Sequence, residues 1–214
     1  MEIEAKTQAQ GGSDRDRWKR EREWRLTASN FGDICKVTES RNMEKFCESL
    51  YNPPDMTHVP AIRHGCTYES VAIEKFSKIT GKKVIKSGLC VDPKFPFLGA
   101  SPDGFVEGED AVVEVKCPYK GRKCKIVPAE LENFDFLEKV GDTVRLKRNH
   151  KYFYQIIGQM KLSNKSFGYF VVFTLEDVIY ERIDHDDAFF MNIMLPKLQL
   201  FFKKEYCPYI ASKL

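Results

Sequence analysis

No stretch of this chain is long and apolar enough to span a bilayer, which takes roughly 18 consecutive residues. The opening residues MEIEAKTQAQGGSDRDR lack the apolar core of a secretory signal, and Met1 to about Ser13 reads as a flexible leader. There is no CxxC pair. The seven cysteines, an odd number, stand apart at 35, 47, 66, 90, 117, 124 and 207, which excludes a disulfide framework and points to reduced thiols in an intracellular setting. The histidines at 58, 64, 150 and 185 show neither HxxxH nor Cys/His spacing, so zinc is not expected. A large charge of one sign is lacking too: the net +3 by itself says nothing about nucleic acid. With no internal repeat and no low-complexity linker, a single domain over 14–214 is expected.

What is present is the composition of a globular α/β protein, 43% apolar and 30% charged. Its charge is clustered: 116–125 (KCPYKGRKCK) and 145–151 (RLKRNHK) are basic without an acidic residue, and such runs can neutralise phosphates. A first helix is expected from about Arg15 to Trp24, then a second short one with Thr27 or Ser29 as N-cap. Residues Ala61 to Thr80 read as a helix closed by Gly81. Lys83 to Val91 and Ala111 to Cys117 read as strands, His150 to Leu162 as a helix, and the apolar Phe167 to Leu175 as a central strand buried on both faces. Asp186 to Tyr206 reads as a helix broken at Pro196. Strands interleaved with helices imply a mixed β-sheet flanked by helices.

The chemistry gathers in 97–118, FLGASPDGFVEGEDAVVEVKCP. A strand from about Phe105 through the Glu107–Asp110 turn into Ala111–Cys117 makes a hairpin. The period of two puts Glu114 and Lys116 on one face, with Val112, and Val113, Val115 and Cys117 on the other. Asp103, in a Pro-Asp-Gly turn, then comes near Glu114. Two carboxylates beside an ammonium suit phosphodiester hydrolysis with Mg²⁺ or Mn²⁺: carboxylates hold the hard cation, and the lysine holds or deprotonates the attacking water. As bare spacing the pattern also fits a solvated strand face.

Its context is more specific. Gly99-Ala100-Ser101-Pro102-Asp103-Gly104 followed by Glu114-Val115-Lys116-Cys117-Pro118 resembles the lambda-exonuclease and YqaJ-type viral recombinase family, within the PD-(D/E)XK nuclease superfamily. Further blocks are similar in the same order, over roughly Trp18 to Phe173. Gly65-Cys66-Thr67-Tyr68-Glu69 resembles the family's Gly-x-x-Tyr/Phe-Glu motif, which implies Glu69 as a further metal ligand. The spacing of Glu69 with Ala72, Ile73 and Phe76, and with Ile62 and Cys66 upstream, independently sets it on the apolar stripe of its helix. WKREREWRLTASNFGDIC (18–35) resembles a block in which an arginine and a serine hold a DNA phosphate. Arg22 or Arg25, with Ser29, would do so here, and a helix N-terminus suits an anion. HKYFYQIIGQM (150–160) resembles the Tyr-x-x-Gln block; Gln155 is carried over as a helper near metal and water, with Gln159 as the alternative.

The resemblance implies a PD-(D/E)XK core with Glu69, Asp103, Glu114 and the Val115 carbonyl around one or two Mg²⁺ or Mn²⁺ ions, and Lys116 assisting the water. It implies 5′→3′ degradation of double-stranded DNA in recombination or repair, and a homotrimer enclosing DNA. The rivals are an endonuclease with the same core, an inactive DNA-binding module and a partner-binding scaffold. Terminal Ser212-Lys213-Leu214 would be a peroxisomal address on a natural C-terminus, but a cytoplasmic or nuclear setting is expected, with no membrane partner.

Overall fold

The computed structural model describes residues 2–5, 7 and 13–214. The chain begins with a helical turn, α1 (Glu2–Ala5), followed by α2 (Ser13–Glu23), the two-residue β1 (Leu26–Thr27), α3 (Ala28–Cys35), α4 (Met43–Tyr51) and the long α5 (Pro60–Thr80). Strands β2 (Val84–Ile85), β3 (Leu98–Gly99), β4 (Gly104–Val106) and β5 (Ala111–Lys116) come next, then the hairpin β6 (Leu137–Val140) and β7 (Thr143–Leu146). After α6 (Lys151–Ser163) come β8 (Phe167–Phe173), β9 (Val178–Asp184) and a helical run made of α7 (Asp187–Phe189), α8 (Leu195–Phe201) and α9 (Cys207–Ala211). Of the leader expected over Met1–Ser13, residues 1, 6 and 8–12 lie outside the described residues. Thr7 is buried, and its Oγ1 accepts from the Leu89 amide at 2.8 Å. No helix among the described residues is long and apolar enough to cross a membrane.

The two most apolar segments form the middle of a five-stranded sheet of order β2-β4-β5-β8-β9, in which β5 and β8 are parallel and the other pairs antiparallel. A parallel pair needs a long crossover and cover on both faces, and the chain supplies both. On one face α5 lays Ala72 and Phe76 against Val113, Val115, Tyr169 and Val171; on the other α6 lays Ile156, Ile157 and Met160 in the cluster containing Val112, Phe170 and Val172. This is the mixed sheet flanked by helices expected from the sequence.

Two glycines set the spacing between α3 and α6. A Cβ on Gly32 would lie 2.5 Å from the Cα of Lys151, and one on Gly158 would lie 2.5 Å from the ring of Phe31. The helices therefore touch at backbone distance, and whatever α3 carries is held in register with α6.

Two local expectations are corrected. The strand expected over Lys83–Val91 shrinks to Val84–Ile85, because β4, its only ladder partner, is itself three residues long; Cys90 instead bridges Ala100. The C-terminal helix does not break at Pro196. A π turn, Phe190–Met194, precedes it, and a second, Phe202–Tyr206, precedes Pro208. A π turn shifts the hydrogen-bond ladder by one residue, so a missing N–H just after it need not interrupt the helix. Neither the β6–β7 hairpin nor α4 is among the expected elements, although Met43, Phe46, Cys47, Leu50 and Tyr51 recur at helical spacing behind the Asn42 cap.

Candidate active site

Strand β5 alternates as expected. Val113 and Val115 face α5, while Glu114 and Lys116 face α6 with Val112. That face is not solvated: Glu114 is only 2% exposed. One carboxylate oxygen, Oε1, accepts from Lys116 Nζ at 2.5 Å and from Gln155 Nε2 at 2.6 Å. The other, Oε2, accepts from Gln159 Nε2 at 2.6 Å. Lys116 Nζ also donates to Gln155 Oε1 at 3.2 Å and stands 4.4 Å from the centre of the Tyr152 ring. Gln155 and Gln159, four residues apart on the polar face of α6, are thus both turned inward and buried. A carboxylate removed from water requires partners of this kind.

Asp103 arrives across the hairpin. The register Gly104↔Val113 and Phe105↔Val112, continued by one residue, sets Asp103 opposite Glu114, and the Asp103 amide donates to Val113 O at 3.1 Å. β4 pairs with β5 no further, so the Val115 amide has no strand partner on that side. It donates instead to Asp103 Oδ2 at 2.7 Å. The early end of β4 leaves a gap beside β5, and into it opens a cleft of about 370 Å³ lined by Glu69, Asp103, Glu114, Val115, Lys116 and Gln155 among others.

Glu69 reaches that cleft from α5, with a correction to how it does so. The stripe of Ile62, Cys66, Glu69, Ala72 and Phe76 exists, but only its second half, Ala72 and Phe76, is buried in the core. The first half runs past the sheet and becomes the cleft wall, where Ile62, Cys66 and Glu69 are exposed. Glu69 is enclosed by the concave wall without being covered, and this desolvation, with the nearby Glu114, raises its pKa. Asp103 is raised well above the usual carboxylate range by burial first, then by Glu114 and Glu69. Burial opposes the charge on Lys116, but Glu114 and Asp103 outweigh it and raise its pKa. The site holds three carboxylates against one lysine.

Hard oxygen donors crowded in this way fit a divalent cation. The buried Gln159 Oε1, which has no hydrogen-bond partner among the described residues, adds an acceptor in the adjoining cleft. Among the described residues no three His, Cys, Asp or Glu side chains are gathered closely enough to hold a metal ion by themselves. The Glu114 oxygens are engaged by Lys116 and the two glutamines, and Asp103 by a backbone amide.

Next to the carboxylates, a smaller cleft of about 220 Å³ joins Asp103, Gln155 and Gln159 to Trp18, Arg22, Ser29 and Ser101. Arg22 and Ser29 line this cleft and a further pocket of about 410 Å³. The Arg22 guanidinium stacks 4.2 Å from the centre of the Trp18 ring, and its one hydrogen bond among the described residues is a long one, 3.4 Å, to Thr27 Oγ1. Burial lowers its pKa to about 10, so it stays charged at neutral pH, with no carboxylate partner among the described residues. Arg25 differs. Its Nη1 donates to Glu21 Oε2 at 2.8 Å and to the Glu21 carbonyl at 2.6 Å, and it lines neither pocket. Thr27 is the N-cap of α3, yet its side chain caps no amide and instead accepts from Asn30 Nδ2 at 3.0 Å.

Three participants escaped the sequence reading. Ser101 lies inside the Gly99–Gly104 block, and its Oγ accepts from Trp18 Nε1 at 3.1 Å, tying α2 to the turn that carries Asp103. The Tyr152 ring beneath Lys116 stood in the Tyr-x-x-Gln block without a role. Phe136, on the cleft wall, comes from a segment with no motif at all. The basic clusters are largely engaged: Arg122 stacks 3.9 Å from the Tyr119 ring centre, Arg145 pairs with Glu138 and Arg148 with Glu181.

Comparison with known proteins gives the same region of sequence and the same fold. A family model described as a YqaJ-like viral recombinase domain matches residues 17–166. No curated protein matches the chain. Among solved structures, the alkaline exonuclease LHK-Exo from Laribacter hongkongensis in complex with dAMP is 24% identical, with a TM-score of 0.70 over 92% of this chain and 96% of that one. A phage-related exonuclease from Haemophilus somnus 129PT is 14% identical, with a TM-score of 0.61 over 89% and 96%. The KSHV SOX protein in an RNA complex is 12% identical, with a TM-score of 0.62 over 97% and 74%. At these identities the likeness is one of fold.

Proposed function

The chain belongs to the YqaJ-like viral recombinase domain family, and from that membership and the geometry of its cleft we propose a metal-dependent deoxyribonuclease that degrades double-stranded DNA ends 5′→3′ in recombination or repair. The observation that carries this reading is the buried Glu114, held by Lys116 and two glutamines in a cleft it shares with Asp103 and Glu69. Folding alone gains nothing from three crowded carboxylates.

Glu69, Asp103 and Glu114, with the Val115 carbonyl, would hold one or two Mg²⁺ or Mn²⁺ ions. When bound, such an ion acidifies water and neutralises charge on the phosphate. The residues of the chain do the rest. Lys116, kept cationic by its two acidic neighbours, orients the attacking water and offsets negative charge as it develops on the phosphate; its raised pKa makes it a poor base. Gln155 ties Lys116 to Glu114 by bonding to both. Arg22, Ser29 and the N-terminus of α3 take the 5′-phosphate of the DNA end, because a charged guanidinium with no carboxylate partner among the described residues, beside a helix N-terminus without a side-chain cap, is complementary to an anion. Arg22 is preferred to Arg25, whose charge Glu21 already neutralises.

The test is digestion of linear duplexes labelled at either end, with or without a 5′-phosphate, in Mg²⁺ or in EDTA. Loss of label from phosphorylated 5′ ends in Mg²⁺ alone is expected. Cutting of closed circular DNA would move the reading to an endonuclease, and cleavage in EDTA would end the metal-dependent one. A homotrimer around DNA is the assembly implied by the resemblance; light scattering of the purified chain tests it.

A further inference from the structure

Gln159 sits at a depth where an apolar residue is the ordinary choice. It is 1% exposed, and its helical neighbours Ile156 and Met160 are fully buried. Its amide is nevertheless committed. Nε2 donates to Glu114 Oε2 at 2.6 Å, and among the described residues it is the only donor to that oxygen, while Lys116 and Gln155 share Oε1. The two ends of the carboxylate are thus held by different groups, and Gln159 sets the rotation of the carboxylate plane about the side chain. The amide cannot be turned over, because its carbonyl would then face a carboxylate oxygen. The orientation therefore leaves Gln159 Oε1 as a buried acceptor without a protein partner, in a residue that lines the cleft shared by Asp103, Glu69 and Arg22. An acceptor buried in that way is matched by a ligand that brings O–H donors. A hydrated divalent cation does so, since Mg²⁺ gives up its waters reluctantly.

We propose that Gln159 is a positioning residue of the metal centre: its Nε2 fixes which edge of Glu114 is offered to the cation, and its Oε1 accepts from a water that the cation carries. This rests on the metal-nuclease reading above. It extends that reading to a residue whose chain position alone left it an alternative to Gln155. The two glutamines have separate tasks, Gln155 on the lysine side of Glu114 and Gln159 on the side away from it.

The test compares the full-length wild type with Gln159→Met, which keeps length and helix propensity but removes both polar atoms, and with Gln159→Asn, which keeps the amide but is one methylene too short to reach Glu114. Mn²⁺ binding is followed by electron paramagnetic resonance and calorimetry without DNA; kcat and KM are measured separately with saturating Mn²⁺. Supporting positioning partners of metal ligands typically matter by about 10–100-fold, so both variants are expected to bind Mn²⁺ more weakly and lose kcat on that scale, with KM for DNA within about twofold of wild type. Gln159→Met removes an unpaired buried acceptor but also the donor to Glu114 Oε2, so without metal it is expected to melt below wild type. A Gln159→Met protein that binds Mn²⁺ and turns over within about twofold of wild type overturns the proposal. So does a variant that only melts earlier while keeping its Mn²⁺ affinity. Wild-type protein that binds no Mn²⁺ and cuts no DNA refutes the underlying nuclease reading instead.

Discussion

The two halves of the cleft are opposites. Around Glu114 almost every polar atom has a partner and the charge is in excess on the negative side, three carboxylates to one lysine. Around Arg22 the excess is positive, and the guanidinium has a ring and one long hydrogen bond but no counter-ion among the described residues. The close packing of α3 on α6 holds the two halves at fixed separation. On the proposed function, a terminal phosphate would meet the positive half and a metal-bound scissile phosphate the negative one, so that reading stands or falls with the pairing of the two.

The sharpest way to break this comparison is to empty the negative half. Asp103→Asn and Lys116→Ala are each expected to lower cleavage by about 10³-fold or more, with unchanged circular dichroism. Normal turnover in either variant would move catalysis away from this cleft, and DNA binding without cleavage by the wild type would leave the protein a binding module. Next comes the positive half. Arg22→Ala should cost about 10–100-fold in kcat/KM on 5′-phosphorylated ends and little on 5′-hydroxyl ends, the loss expected for a charge-assisted contact. Arg25→Ala, whose guanidinium already serves Glu21, should stay near wild type; equal losses from both arginines would erase the assignment.

The link between the halves is a smaller effect. Gly158→Ala drives a methyl into Phe31 and should lower stability by about 1–3 kcal/mol. If α3 shifts to relieve the clash, preference for a 5′-phosphate should fall while cleavage of unphosphorylated ends persists; an unchanged preference would mean the two halves are not coupled through this contact.

The smallest effect is electrostatic. In metal-free protein the raised pKa values of Asp103 and Glu69 mean that the folded state holds their protons more tightly than the unfolded chain does. Stability should therefore decline as pH rises from the unfolded carboxylate value, about 4, through the raised folded values. Asp103→Asn should flatten that decline, and saturating Mn²⁺ should reverse it. A melting temperature that rises over this window without metal would show that the carboxylates are not in conflict.

Legibility differed between these regions for physical reasons. The period of two in Ala111–Lys116 determines which residues share a face, so Glu114 and Lys116 could be paired from the sequence, and the flanking blocks made the pair specific. Glu69 was placed on the correct helical stripe, but the stripe was read as core along its whole length. Only the position of the sheet shows that α5 outruns it and that the first half of the stripe is a cleft wall. On α6 the polar face was equally visible in outline and equally ambiguous, because periodicity reports a face and not what the face meets. Phe136 gave no signal, since it reaches the cleft from an insertion whose path is decided by packing against Tyr152 and Phe170.

What the sequence determined by itself was local and periodic: most of the helices, the hairpin ending in Ala111–Cys117, the residue types gathered near Asp103 and Glu114, and the family. What only the tertiary structure decided was which charges are neutralised. Arg22 and Arg25 are three residues apart on one segment and chemically identical, yet one is paired with Glu21 and the other faces the cleft. Ionic pairing depends on distances of a few ångströms between groups far apart in sequence, and on how much water lies between them. Neither quantity is written in the order of the residues.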